Sequence, residues 1–273
     1  MTDLAYDRTG TGAAVVAVHG WPGDRQDFAA VAELLPDADV VRPDLLGFGG
    51  SPKPADGDYG AAAQSTRVRE LMDELGIARA VLVGYDVGSR VAQTPAVAHP
   101  ERVAALVVAP PLPGAGARVL EPSAQPEFWY QAFHQLSLVE EIVDGRPDAV
   151  RAYLRHFWTH WSGPAFTPSD ALLDRLTTAY AEPGAFTASI GWYRAGSAMI
   201  ARSLAETPPE QRCAAPVTVL WPEHDPLFPR AWSDRLEEWY SDVDLRGIDG
   251  VGQFSPVEAP DVWAAAIRER LTR

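Results

Sequence analysis

The chain has 273 residues but only one cysteine, Cys213, and one lysine, Lys53. A single thiol excludes an internal disulfide and leaves no thiolate cluster for a structural metal. No apolar run approaches the ~18 residues of a membrane span, and no charged-then-apolar leader opens the sequence. A cytoplasmic protein is therefore expected. Positive charge is scarce as well: 23 Lys and Arg stand against 37 Asp and Glu, a net charge of −14. That balance argues against nucleic acid and anionic membranes as partners. The acidic residues are scattered, so solubility is their plain explanation. With lysine nearly absent while Arg, Ala, Gly and Pro abound, the composition suggests a GC-rich bacterial genome. There is no internal repeat and no low-complexity tract.

What is present is apolar and periodic. Hydrophobic residues make up 47% of the chain, enough for a substantial core, and the length suits one large α/β domain with an insertion. An edge strand is expected around Leu4 to Tyr6, and a buried one over Ala13 to Val18. Asp24 is expected to cap a helix running to about Leu35. Val40-Val41 forms a further strand. Helical periodicity covers Ala62 to Leu75, then come a strand over Arg79 to Val83, a helix over Gly88 to Ala98 and a strand over Val103 to Val108. Short apolar strands alternating with amphipathic helices predict a mostly parallel sheet with helices on both faces. From Pro110 to about Cys213 the strand rhythm stops and Trp and Tyr accumulate. Sheet character returns with Val217 to Trp221, a helix over Arg230 to Trp239, a strand around Asp244 to Ile248 and a last helix from about Val257 to Leu271. The expected organisation is a core of residues 1–110 and 214–273 with a helical cap of residues 111–213 between sheet strands.

The stretch Val81-Leu82-Val83-Gly84-Tyr85-Asp86-Val87-Gly88-Ser89-Arg90 organises this pattern. A buried strand breaks at Gly84 and a helix resumes at Gly88, the G-x-(nucleophile)-x-G corner known as a nucleophile elbow. Its glycines permit a sharp turn that leaves the central side chain at the carboxyl end of the strand. That residue is Asp86, not Ser, so attack on an sp³ carbon would give an alkyl ester. The bland alternative is an ordinary strand-turn-helix with a solvated Asp. The glycine-rich loop Asp44 to Ser51 lacks phosphate-loop spacing and no Gly-Lys-Ser/Thr follows it. No cofactor and no metal is expected.

Taken together, these motifs resemble the α/β-hydrolase fold, and within it the epoxide hydrolase and haloalkane dehalogenase group. The resemblance covers almost the whole chain. His19-Gly20-Trp21-Pro22-Gly23 is similar to the family's oxyanion turn, and Asp44 to Pro54 to its D-x-x-G-x-G-x-S-x-x-P loop. Trp221 to Pro229 is similar to its acid loop, and Gly252-Gln253-Phe254 to its histidine loop. The resemblance implies attack by Asp86, oxyanion donors at Trp21 and Val87, and Asp225 as the acid that orients the base. Phe128 to Gln135 and Gly191 to Arg194 resemble the two segments that carry ring-opening phenols, here Tyr130 and Tyr193. Trp129, Trp192 and Phe254 are expected to contact a bulky or aromatic epoxide, of the kind formed as a natural-product intermediate in secondary metabolism. Val87 follows the nucleophile where a dehalogenase of this group has Trp or Arg, so an epoxide is favoured over a halide. The expected partner is this small-molecule epoxide alone, with the protein a monomer or homodimer.

One residue departs from the pattern. Gln253 stands where the resemblance implies a general-base histidine, and an amide cannot take a proton near neutrality. Three readings stay open: an epoxide hydrolase arrested at its ester by an introduced change, a base-free cyclase or isomerase, and a non-catalytic binder of small molecules.

Overall fold

The structure is a computed structural model that describes residues 3–197 and 199–272. Seven strands form one sheet: β1 (Tyr6–Thr9), β2 (Ala13–Val18), β3 (Ala38–Pro43), β4 (Ala80–Gly84), β5 (Val103–Val108), β6 (Val217–Pro222) and β7 (Val243–Ile248). Their order is β1-β3-β2-β4-β5-β6-β7, with β1 antiparallel to β3 and every other pair parallel. The expected α/β class and mostly parallel sheet are both present. β2, β4 and β5 carry near-continuous Val, Ala and Leu because parallel strands covered on both faces must be apolar on both. Their carboxyl ends converge in the middle of the sheet, which is where open α/β sheets place ligands.

Helices before the elbow are α1 (Ala29–Glu33) and α2 (Ala61–Glu74), and α3 (Asp86–Ala98) follows it. Between β5 and β6 there is no strand among the described residues. This stretch contributes α4 (Trp129–Phe133), α5 (Leu138–Ile142), α6 (Pro147–His160), α7 (Asp170–Tyr180), α8 (Ala185–Ser189) and α9 (Met199–Ala205). The C-terminal part ends in α10 (Ser255–Glu258) and α11 (Pro260–Leu271). Among the described residues, no helix is long and apolar enough to cross a membrane.

Several boundaries differ from the sequence expectation, each for a local reason. Leu4 is buried as a core residue, and the edge strand lies further on, at Tyr6–Thr9. Asp24 does cap, its side chain accepting from Gln26 N, but the turn it opens is 3₁₀ (Arg25–Phe28) before α1 begins. The segment Arg230–Glu238 is 3₁₀ rather than α. The single C-terminal helix is split because Pro260 forces Ala259 out of helical geometry, to φ −140° and ψ 62°.

The helices between β5 and β6 are tied to the loops at the strand ends. Trp158 Nε1 donates to Pro22 O at 2.8 Å and Tyr180 Oη to Gly23 O at 2.8 Å. Trp158 also stacks on Phe254, with ring centroids 3.7 Å apart. Beneath them, α3 lies hard against β2. A Cβ built on Gly88 would stand 2.0 Å from Val18 O, a backbone atom that cannot move aside. Gly88→Ala is therefore expected to lower stability by about 1–3 kcal/mol, the usual cost of overpacking. A urea unfolding midpoint equal to that of the parent protein would count against this close approach.

Candidate active site

Asp86 ends the turn after β4 with φ 50°, the only positive φ at a non-glycine among the described residues. Left-handed geometry at a non-glycine carries strain and persists only where its surroundings enforce it. Here they do. Asp86 N donates to Pro110 O at 3.0 Å, and the preceding Tyr85 is anchored through its hydroxyl to Asp27 Oδ2 at 2.7 Å. Asp86 Oδ1 accepts from Trp21 N at 2.9 Å and Val87 N at 2.6 Å. Oδ2 accepts from Gln253 Nε2 at 3.0 Å. Burial pushes the Asp86 carboxyl up to about 6, while those three hydrogen bonds hold it below the value burial alone would give.

The turn that supplies Trp21 N is braced from behind. His19 Nε2 lies 3.1 Å from Leu45 N, and Nδ1 lies 2.8 Å from Gly20 O. Leu45 N must donate, so the proton sits on Nδ1, and burial keeps the ring neutral. Asp44 holds the neighbouring loop by accepting from Arg25 N, Gly50 N and the Arg25 guanidinium.

Asp86 lines a cavity with about 330 Å³ of empty space, together with Val87, Arg90, Tyr130, Tyr193 and Phe228 among others. Tyr130 and Tyr193 are both buried, their rings 5.5 Å apart at 88°. Burial, reinforced by the nearby Asp86 charge, raises both phenols well above their ordinary value, so both remain donors. Gln131 Nε2 donates to Tyr130 Oη at 3.2 Å. Trp192 lines the cavity, whereas Trp129 and Phe254 do not. Trp129 is 44% exposed and stacks on Phe157, while Phe254 is spent on Trp158. The expected aromatic substrate wall is therefore mostly ring-on-ring packing: Trp21 alone touches Tyr130, His134, Tyr153, Phe157, Trp161 and Tyr193.

Arg90, Gln131 and Phe228 belong to the lining although sequence reasoning passed over them. Arg90 had a usable signal, since it lies one helical turn after Asp86 and so shares its face. Its Nη1 donates to Glu206 Oε1 at 2.7 Å and its Nη2 to Leu112 O at 3.2 Å.

Asp225 is buried in the loop after β6. Its Oδ1 accepts from Leu227 N at 2.8 Å and Phe228 N at 3.2 Å, but Oδ2 has no hydrogen-bond partner among the described residues. Burial pushes this carboxyl up to about 8. Gln253 is fixed by its backbone, N donating to Trp161 O at 2.7 Å. None of the six histidines hydrogen-bonds Asp86 or Asp225 in the described residues. His224 is 42% exposed beside Glu223, and His160 pairs with Glu127. His134 is buried and packs 4.8 Å from the Tyr193 ring, but its Nε2 is engaged with Tyr153 Oη at 2.9 Å. Burial lowers its pKa to about 3, so it is neutral.

Comparison with known proteins agrees with this architecture. The family model described as the alpha/beta hydrolase fold matches residues 13–260, and the chain belongs to that family. It is 28% identical to a soluble epoxide hydrolase of Corynebacterium sp., over 94% of this chain and 89% of that one. It is 31% identical to a fluoroacetate dehalogenase of Burkholderia sp. over 68% of this chain, which spans 64% of that protein's length. Other curated relatives are matched over 31% to 37% of their own length. In fold the chain is similar to the solved epoxide hydrolase of Bacillus megaterium, with a TM-score of 0.83, 21% identity, and 99% and 97% of the two chains covered.

Both carboxyls keep their protons to higher pH in the folded state than in the unfolded chain, where they titrate near ~4. The folded protein thus binds more protons between about pH 4 and about pH 8, and stability falls as pH rises through that window. Asp225→Asn removes the larger part of this effect. It should be more stable than the parent at about pH 9, by more than about 1.4 kcal/mol (one pKa unit), and similar to it near about pH 3, below both titrations. Urea titrations at the two pH values measure this, and an equal difference at both would refute the assignment.

Proposed function

We propose that this protein opens an epoxide by attack of Asp86 on a ring carbon, forming a covalent alkyl ester. The observation that carries the reading is the opposition, within one cavity, of a carboxylate seated on two backbone N–H groups and two buried phenols. Asp86 Oδ2 forms the new C–O bond as the ring C–O bond breaks. The departing oxygen becomes an alkoxide and takes its hydrogen bond and proton from Tyr130 or Tyr193. A phenol kept protonated by burial suits that role, and a positioned general acid of this kind contributes roughly 10²- to 10⁴-fold. The segment of residues 111–213 acts as the cap over a core of residues 1–110 and 214–273, carrying the phenols to the nucleophile.

Hydrolysis of the ester then needs a base for water. In a hydrolase with histidine at position 253, water would attack the Asp86 carbonyl carbon, Trp21 N and Val87 N would hold the oxyanion, and a vicinal diol would leave. Gln253 cannot accept that proton, so the ester persists. The unpartnered Asp225 Oδ2 supports this reading over a binder, because it lies in the loop from which an acid would orient an imidazole N–H. The one cation lining the cavity among the described residues, Arg90, has its charge matched by Glu206. That pairing, with Val87 beside the nucleophile, favours a neutral epoxide over a haloacid, despite the similarity to a fluoroacetate dehalogenase.

Three outcomes are expected. Incubation with a panel of epoxides should add one substrate mass to Asp86 by intact-protein mass spectrometry, and only Gln253→His should release diol. A panel that leaves both proteins unmodified and yields no diol would transfer the reading to a binder. Tyr130→Phe and Tyr193→Phe should each slow adduct formation by at least about tenfold, given the size of general-acid effects. Because Asp86 attacks only when ionised, the rate of adduct formation should rise with pH up to about 6 and level off above it; a rate independent of pH below that point would remove Asp86 as nucleophile.

A further inference from the structure

A second hollow adjoins the reaction cavity. It is a groove open to solvent, with about 1060 Å³ of empty space, and Arg90 lines both it and the cavity that holds Asp86. Its walls are α3, the start of α2 and the chain beyond α9, and its surface includes Ala61, Val97, Ala98, Pro113, Pro209 and Trp239. Val97 is 69% exposed there, the most exposed large hydrophobic side chain among the described residues. The one acid of the lining, Glu206, is paired: Arg90 Nη1 lies 2.7 Å from its Oε1, and Arg202 Nε lies 3.9 Å from the same oxygen. The groove therefore offers an apolar surface with no uncompensated acid. The reaction cavity, with about 330 Å³ of empty space, is the smaller of the two hollows.

We propose that this groove is the subsite for the tail of the substrate, and that the substrate is a terminal epoxide on an unbranched apolar chain. The inference rests on the epoxide-opening reading of Asp86. The ring sits between Asp86 and the two phenols, and the chain passes along the Arg90 stem, whose guanidinium is held aside by Glu206 and Leu112 O. Each methylene that leaves water for the groove raises the rate of adduct formation at low substrate concentration roughly three- to fourfold, until the groove is filled.

The test compares butene oxide with decene oxide on the full-length protein, using the rate of adduct formation on Asp86. Val97→Asp places a charge in the groove, and Ala62→Trp fills it from an exposed position; neither touches the reaction cavity. Decene oxide should react at least tenfold faster than butene oxide with the parent protein. Both variants should lose most of that advantage while reacting normally with butene oxide. A length preference unchanged in both variants, or absent from the parent protein, overturns the tail subsite and leaves the epoxide reading standing. Failure of every epoxide to form an adduct overturns the epoxide reading instead. The groove is then judged by calorimetry with decane-1,2-diol: binding weakened at least tenfold by Val97→Asp supports it, and equal or undetectable binding in both proteins rejects it.

Discussion

Everything at this site depends on how closely α3 approaches β2. Gly88 sits where any side chain would meet Val18 O, and Gly84 where a Cβ would lie 2.3 Å from Gly88 O. Because those two positions are bare, the chain reverses within a few residues and Asp86 is driven to φ 50°. That conformation puts its carboxylate on Trp21 N and Val87 N together. A looser turn would leave the carboxylate reaching one donor or neither. In the proposed reaction the same two N–H groups would serve in turn the nucleophile and, in a hydrolytic step, the oxyanion at the same carboxyl group. The strain is thus local, and the hydrogen bonds of Tyr85 to Asp27 and of Asp86 N to Pro110 O hold it in place.

The electrostatics follow from closing that turn off from water. Two carboxyls are buried near each other with no cation bonded to either among the described residues, and both hold their protons well above the usual range. A histidine between them would relieve both, accepting positive charge next to Asp225 while activating water beside Asp86. Gln253 relieves only one, by donating a neutral hydrogen bond to Asp86 Oδ2. The consequence is asymmetric. Asp86, with three donors, ionises near neutrality and stays usable as a nucleophile, whereas Asp225, with one oxygen unpartnered, retains its proton around pH 7. In the proposed reaction, the first half-reaction would keep its machinery and the second would not.

The sheet, the elbow and the place of Asp86 were legible in the sequence because each rests on short-range rules: apolar strand runs, glycine spacing, a proline or a cap. The 3₁₀ turns at Arg25–Phe28 and Arg230–Glu238 were not, since i→i+3 and i→i+4 bonding draw on the same residue pattern. Tyr130 and Trp129 are neighbours on α4, yet one lines the cavity and the other faces outward. Successive helical positions point about 100° apart, and only the packing of Phe157 and Tyr153 decides which turns inward. Arg90 escaped notice because its importance comes from Glu206, more than a hundred residues away in the chain. Aromatic richness also misled in one respect: it described a packed layer around Trp21 more than a surface for substrate.

The fold does not depend on which side chain stands at position 253, and the reason lies in what holds the Gly252-Gln253 loop. Gln253 N donates to Trp161 O, while Gly252 N and Gly163 N share Glu258 Oε2 at 3.0 and 2.8 Å. Phe254 is clamped against Trp158, which itself bonds Pro22 O next to the oxyanion turn. These contacts use backbone groups and residues other than the side chain at 253. The loop that would carry the base is therefore also the seam joining the helical segment to the strand ends. Selection for a closed cavity would preserve it whatever residue occupied position 253. A chain can keep the seam, the nucleophile and the phenols while changing one side chain, and in the proposed reaction that side chain would decide whether the ester turns over. The geometry of the first step and the chemistry of the second are separable in this fold because they depend on different atoms of the same loop.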